Sequence, residues 1–325
     1  MVRVIDLFSI RNNLYQKKNQ FYFLGVGTVG TSPSLQSVAS VSSVSPTSGS
    51  IYGGITLAVN GNGFATSTSN IQVYVGSNAC PIIQTTPGQV TCTVPAQGSS
   101  ASSSTVRVVS NGVTFPGSLT FTYSSSLTPS VTSISPTSGT TGQLITITGS
   151  NFVSGQTSVT VGGVICSVGS VSTTSITCTV GSSPAGNQPV VVSVSSNGIS
   201  NSNIVFQYAL QITSATPLRG SFGGGQSVTI NGNGFNSSGA SVTICGTACQ
   251  SVNIISNTQL VCITPSATVS SSDRSCSLTV SVGSLSQSVN YVYGNNVTAT
   301  VSSVSPTRGG TGGGTLLTIT GTNFP

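Results

Sequence analysis

The sequence predicts an all-β chain, a tandem array of small antiparallel sandwiches. A phrase that recurs four times, short segments of alternating apolar residues, and a near absence of charge carry that prediction. The phrase is clearest at Val131-Thr-Ser-Ile-Ser-Pro136-Thr-Ser-Gly139-Thr-Thr-Gly142-Gln-Leu-Ile-Thr-Ile-Thr-Gly149-Ser-Asn151-Phe152. Its second half puts Ile145 and Ile147 on one side and Leu144, Thr146 and Thr148 on the other, the two-residue period of a half-buried strand. It returns from Val41 through Pro46 to Phe64, from Ile212 through Pro217 to Phe235, and from Val301 through Pro306 to Phe324. The prolines are 90, 81 and 89 residues apart. A period that long is a domain of its own rather than one turn of a solenoid. The layout is therefore a non-repeat segment and linker over 1–40, repeats over 41–123, 131–208 and 212–293, and a truncated fourth over 301–325.

Composition agrees. The 325 residues are 36% hydrophobic and 3% charged, with no His and no Trp. Ser, Thr, Gly and β-branched residues dominate, and their periodic apolar segments argue against disorder. Outside the first twenty residues no stretch has the 3.6-residue period of an amphipathic helix.

Taken in order, the first thirty residues stand apart from the repeat. Arg3, Asp6 and Arg11 break an apolar opening, and 17–30 has a basic start followed by a short apolar run, a marginal signal peptide. A misassigned start, or an internal piece of a longer gene, is the favoured reading. No run of eighteen apolar residues exists to span a membrane as a helix. A polar linker over 31–40 follows. The first repeat is read as its proline-bearing strand and then strands at 55–59, 71–75, 90–94, 105–109 and 119–123. The second gives 144–148, 158–161, 175–180, 189–194 and 204–208; the third gives 227–230, 241–244, 259–263, 277–282 and 288–293. Six or seven short strands per unit suit a two-sheet sandwich. Each full repeat closes on alternate rings, Phe121 and Tyr123, Phe206 and Tyr208, Tyr291 and Tyr293, which a last strand would bury together.

The cysteines fall in register with the repeat. Cys80 and Cys92 are 12 apart, as are Cys166 and Cys178, and Cys249 and Cys262 are 13 apart. With Cys245 and Cys276 added in the third repeat, the eight fit four intradomain disulfides. The alternative, a zinc site, needs four gathered ligands, and Cys245-Gly-Thr-Ala-Cys249 is its nearest approach. Oxidised pairs imply an extracellular or cell-surface chain. In that setting Asn236-Ser-Ser238 and Asn296-Val-Thr298 are acceptors for N-glycosylation, and the Ser-rich stretches are candidates for O-linked sugar.

Catalysis fails by inventory. There is no His and no Glu, and Asp273 is the single carboxylate within the repeats. Paired-acid hydrolysis, an activated Ser or Cys nucleophile and a calcium site each need groups this chain lacks. No cofactor or metal is expected. The Gly runs at 223–225 and 309–314 lack a following Gly-Lys-Ser/Thr and are read as turns. Asn60-Gly-Asn-Gly63 and Asn231-Gly-Asn-Gly234 are read the same way, since Asn and Gly tolerate positive φ. The net charge of +6 is shared between the first eighteen residues and Arg107, Arg219, Arg274 and Arg308 scattered beyond them. That is no basic face for nucleic acid.

Together the Ser-Pro-Thr-Ser-Gly phrase, Ile-Thr-Ile-Thr-Gly-Ser-Asn-Phe152, Val-x-Val-Gly-Gly-x-x-Cys166, Ile-Thr-Cys178-Thr-Val and Ser-Ser-Asn197-Gly198 resemble the IPT/TIG family. Its domains are immunoglobulin-like and occur in plexins, transcription factors and large cell-surface proteins. The resemblance covers about residues 40–325. It implies immunoglobulin-like sandwiches without a common activity, and the cysteine-bearing form is similar to the extracellular branch. Two roles follow as expectations. The first is a non-catalytic structural or adhesive glycoprotein whose array serves as stalk, spacer or filament subunit. The alternative is a receptor ectodomain or a module binding protein or carbohydrate. The partners expected are copies of itself or other extracellular proteins, with attached glycans and no nucleic acid.

Two expectations concern the array. A three-residue junction at 209–211, against seven at 124–130 and 294–300, leaves little freedom and predicts a stiff, elongated string. Each domain would extend on the order of 35 Å and three on the order of 100 Å. The fourth repeat stops after its second strand, which would leave Leu316, Leu317 and Ile319 exposed. A fragment of a longer array is the favoured explanation. Docking onto another copy, then disorder, are the alternatives.

Overall fold

The structure is a computed structural model that describes residues 14–17, 20–23, 40–98, 100–235 and 239–324. Where the sequence left room for a helix, the described part of the first twenty-three residues is a hairpin of Leu14–Lys17 against Gln20–Phe23. The chain forms two compact units, Met1–Thr128 with Ser195–Ile199, and Pro129–Val194 with Ser200–Pro325. Each of the three full repeats carries seven strands of four or more residues.

In the first unit, Ser40–Ser45, Thr56–Asn62, Gln89–Thr93 and Ile82–Thr86 make one antiparallel sheet in that order. The other sheet runs Ser48–Gly49, Leu119–Tyr123, Ser102–Ser110, Ile71–Val75 and Asn78–Cys80. The recurrent proline explains how one chain segment serves both. Pro46, like Pro136, Pro217 and Pro306, follows a cis peptide bond. Without an N–H it cannot continue the ladder that ends at Ser45 opposite Ala58. Two residues later, Ser48 and Gly49 pair in parallel with Thr122 and Tyr123 of the other sheet. The inner faces alternate as the sequence demands: Leu57 and Val59, Val90 and Cys92, Val73 and Val75, and Val106 and Val108 are buried together.

In the second unit the third repeat repeats this plan. Gln211–Thr216, Ser227–Asn233, Gln259–Ile263 and Ser251–Ser256 form one sheet; Arg219–Gly220, Leu285–Tyr293, Arg274–Val282, Ala240–Ile244 and Thr247–Ala248 form the other. The second repeat differs in one strand. Val164–Val171 pairs with Thr157–Val161 at its start and with Ser175–Thr179 at its end, so its ladders run continuously from Ser130–Ser135 to Ser138–Gly139. Each of these two repeats has its own core. Of the fourth, Thr300–Ser305 pairs with Thr318–Thr322, and Leu316, Leu317 and Ile319 are 85%, 54% and 55% exposed.

One sequence reading is corrected. Asn60-Gly-Asn62 and Asn231-Gly-Asn233 are not turns but the ends of strands Thr56–Asn62 and Ser227–Asn233, and the turn begins only at Gly63 and Gly234, where φ is +78° and +85°. The glycine inside each phrase has a different cause. The register slips by one residue opposite Val41, Val131, Ile212 and Val301. The slip brings a neighbouring carbonyl, that of Ser40, Ser130, Gln211 or Thr300, onto the space a Cβ would fill at Gly61, Gly149, Gly232 or Gly321. The phenylalanine three residues on, Phe64, Phe152, Phe235 or Phe324, covers the same point. Gly-x-x-Phe is thus one packing unit at a bulge.

Candidate functional site

Among the described residues the candidate features are spread along the chain, and the ring pair and one cysteine bridge recur in each full repeat. The structure joins Cys80 to Cys92, Cys166 to Cys178, Cys249 to Cys262 and Cys245 to Cys276. In the first three, the second cysteine lies mid-strand in Gln89–Thr93, Ser175–Thr179 or Gln259–Ile263, with its side chain in the core. Its partner enters from the hairpin that follows Val75, Val161 or Ile244. The bridges therefore tie one sheet to the other across the core in the first and third repeats. Cys245–Cys276 belongs to the third repeat alone, at the edge of its core, and closes the longer loop of 31 residues.

The closing strands hold the ring pairs. Phe121 and Tyr123, Phe206 and Tyr208, and Tyr291 and Tyr293 meet edge to face with centroids 5.1, 4.9 and 5.2 Å apart, all buried. The last tyrosine of each pair donates its hydroxyl to a backbone carbonyl across the sandwich: Tyr123 to Pro95 at 2.9 Å, Tyr208 to Gly181 at 2.9 Å, Tyr293 to Pro265 at 2.7 Å. Burial pushes the phenols of Tyr123 and Tyr208 up to about 12. Tyr291, where the other repeats have Phe, is also pushed to about 12, mainly by burial and then by Tyr293. Its hydroxyl is buried without a hydrogen-bond partner in good geometry, although Thr264 partly offsets the burial.

The seven-residue junctions carry a device the sequence reading missed. Thr128 accepts from the Ile51 N–H at 3.0 Å and donates to the Ser124 carbonyl at 2.7 Å. Thr298 does the same between the Phe222 N–H, 3.0 Å, and the Gly294 carbonyl, 2.7 Å. Both threonines stand five residues after the closing tyrosine and both are buried. That shared offset was the available signal. At the three-residue junction Leu210 is instead buried in the third core, and the Ala185 N–H donates to the Gly234 carbonyl.

Beside Thr298 lies the charge of the third repeat. Arg219 pairs with Asp273 at 2.7 Å and donates to Asn296 Oδ1 at 2.5 Å, while the Asn295 N–H donates to Asp273. Hydrogen bonds from Arg219 and then Asn295 hold the Asp273 carboxyl below its ordinary range. The second sequon residue, Asn296, is exposed; Asn236 lies outside the described residues. The Gly run 223–225 turns between Arg219–Gly220 and Ser227–Asn233, with Gly225 donating to the Thr264 carbonyl, and Gly313 donates to Gly310 in the second run. Among the described residues no three His, Cys, Asp or Glu side chains gather as metal ligands, and no helix is long and apolar enough to cross a membrane.

Comparison with known proteins places these features. The family described as "IPT/TIG domain" matches residues 39–123, 129–208, 210–293 and 299–325. Fibrocystin-L of Homo sapiens is 38% identical over 285 residues, covering 86% of this chain, and Fibrocystin-L of Mus musculus is 36% identical over the same length. The chain spans 7% of the length of each of these relatives. Among solved structures, the full extracellular region of Plexin A4 aligns over 78% of this chain and 24% of its own, at 18% identity and a TM-score of 0.35.

Proposed function

The chain belongs to the IPT/TIG domain family, and from that premise we propose that it is a non-catalytic part of an extracellular structural or adhesive glycoprotein. Its tandem immunoglobulin-like repeats act as stalk, spacer or filament subunit. One observation carries the reading. Each full repeat is closed by its own core, its own cysteine bridge and its own tyrosine hydrogen bond. Disulfides in each full repeat persist where the compartment is oxidising, which supports an extracellular or cell-surface location. The inventory supports the absence of catalysis: the one carboxylate of the repeats, Asp273, is committed to Arg219 and the Asn295 backbone. Copies of the same chain or other extracellular proteins are the partners this role calls for. The test is to tag the chain within its natural gene and label intact cells. Surface label without permeabilisation is the expected result, and label seen only after permeabilisation would overturn the reading.

A second reading, a binding module, has one observation in its favour. On the outer face of the first repeat the Arg107 guanidinium lies 4.2 Å over the Tyr74 ring, and the Tyr74 hydroxyl donates to Gln72. The paired positions in the other repeats are Thr160 with Val191 and Thr243 with Thr279. An aromatic ring with a cation on an outer sheet face suits a saccharide or a peptide side chain. Tyr74→Thr with Arg107→Val should abolish any ligand retained on a glycan or protein array if this reading is right. Retention unchanged in that variant would reject it.

A further inference from the structure

The sequon Asn296-Val297-Thr298 is built into the exit of the third repeat, and its three polar groups have divergent fates. Asn295–Val297 is a single 3-10 turn entered from Gly294, with Asn296 exposed and Thr298 only 4% exposed. Arg219 can only donate, so the atom of Asn296 that faces it is the carbonyl Oδ1. No described residue accepts from the Asn296 Nδ2, the atom on which an N-glycan is carried. The Thr298 hydroxyl, by contrast, is buried and engaged both ways: it accepts from the Phe222 N–H and donates to the Gly294 carbonyl inside the repeat.

The first junction separates what the fold requires from what it does not. Thr128 makes the same pair of hydrogen bonds there, yet the residue two before it is Ser126. The clamp accounts for the threonine. It does not account for an asparagine at 296, nor for the Arg219–Asp273 pair set beside it, whose counterpart of Arg219 in the first repeat is Ser48.

We propose that Asn296 carries an N-linked glycan, that transfer precedes closure of the third repeat, and that folding then seals the sequon while leaving the sugar outside. This rests on the extracellular reading above. In the transfer, Nδ2 attacks the anomeric carbon of an isoprenoid-diphosphate-linked oligosaccharide. The C–N bond forms as the C–O bond to the diphosphate breaks, Nδ2 yields one proton to the transferase, and the isoprenoid diphosphate leaves with the electron pair. Nothing is oxidised or reduced. Because the sequon is defined by the hydroxyl two residues after the asparagine, a hydroxyl locked between Phe222 and Gly294 cannot be read in the folded repeat. Because the carbonyl Oδ1 survives the reaction, the Arg219 hydrogen bond is kept in the glycosylated chain.

The experiment expresses residues 1–325 behind a secretion leader in eukaryotic cells and digests the secreted product without reduction. Peptide N-glycosidase in heavy-oxygen water should convert Asn296 to labelled Asp, and Asn296→Gln should remove one glycan without loss of secretion. In a second arm, sugar-free chain is offered, either folded or reduced and unfolded, to detergent-permeabilised microsomes, so that both forms reach the transferase. At least about a tenfold excess of transfer to Asn296 in the unfolded sample is expected. The same digest reports the disulfides. Bridges formed with Asn296 unoccupied would overturn this proposal alone, whereas bridges absent would overturn the extracellular reading beneath it. Equal transfer to folded and unfolded chain would overturn the order of events.

Discussion

At the scale of single residues, buried hydroxyls separate the three repeats. Tyr123, Tyr208 and Tyr293 place theirs on a carbonyl, whereas the Tyr291 hydroxyl lies in the core beside Gly220 and finds no good partner. A buried polar group left unpaired costs about 1–3 kcal/mol, and the first two repeats avoid that cost with Phe121 and Phe206. Tyr291→Phe is therefore expected to stabilise the third repeat by about 1 kcal/mol, read as a higher denaturant midpoint with unchanged slope; a lower midpoint would mean that Thr264 satisfies the hydroxyl after all. Thr128 is the opposite case. Thr128→Val keeps the shape but strands the Ile51 N–H, which is buried, and the Ser124 carbonyl. A loss of about 1–3 kcal/mol in the first repeat is expected by the same reasoning. Stability equal to wild type would show that water reaches the junction. Within its own repeat neither residue announces its role, and only the offset that Thr128 shares with Thr298 points to it. Tyr291 reads as one more core ring, and Thr128 as one more polar residue in a serine-rich stretch.

At the scale of elements, what was legible follows burial. The strands at 71–75, 119–123 and 259–263 are found with those bounds because they alternate cleanly, as in the pattern buried, exposed, buried of Ile71–Val75. The edge strands Ile82–Thr86 and Ser251–Ser256 are absent from the sequence reading, since no residue of either is buried and a bulge breaks the alternation of both. Backbone pairing defines them, with Ile82, Val252 and Ile254 only partly buried against the cores. The closing strand carries a pH signature. An ordinary tyrosine ionises near 10, whereas Tyr123, Tyr208 and Tyr291 are raised to about 12 by burial. Between those values the unfolded chain has lost phenolic protons that the folded chain still holds, so stability falls as pH rises. Stability should be insensitive to these groups below about pH 10 and decline from there to about pH 12. Phenolate absorbance from these three should arise together with loss of fold. Its appearance near pH 10 with the far-ultraviolet spectrum still native would contradict their burial. Tyr123→Phe should weaken the first repeat at neutral pH by about 1 kcal/mol, for the lost bond to Pro95, and flatten its alkaline decline.

At the scale of the whole molecule, the period of the sequence and the three separate cores describe a chain that can yield one repeat at a time. Each core is enclosed within its own repeat apart from Leu210 and Ala185 at the shortest junction. A mechanical spacer of this kind should unfold under tension in discrete steps, and the bridges set the step lengths. Cys80–Cys92 and Cys166–Cys178 each withhold 12 residues from extension, while Cys245–Cys276 encloses Cys249–Cys262 and withholds 31. Reduction frees that chain. At roughly 3.3–3.6 Å per residue, two of the three steps should lengthen by about 4 nm and the third by about 10–11 nm. Reduction should also lower the force of every step, since closing a loop of about 12–15 residues stabilises a fold by about 3 kcal/mol in the chain-entropy view. The double variant Cys166→Ala with Cys178→Ala should reproduce the longer step in one repeat only, which identifies the second repeat in the trace. A single cooperative rupture of all three repeats, or steps unchanged by reduction, would show that the bridges do not divide the chain into mechanical units and would remove the spacer role.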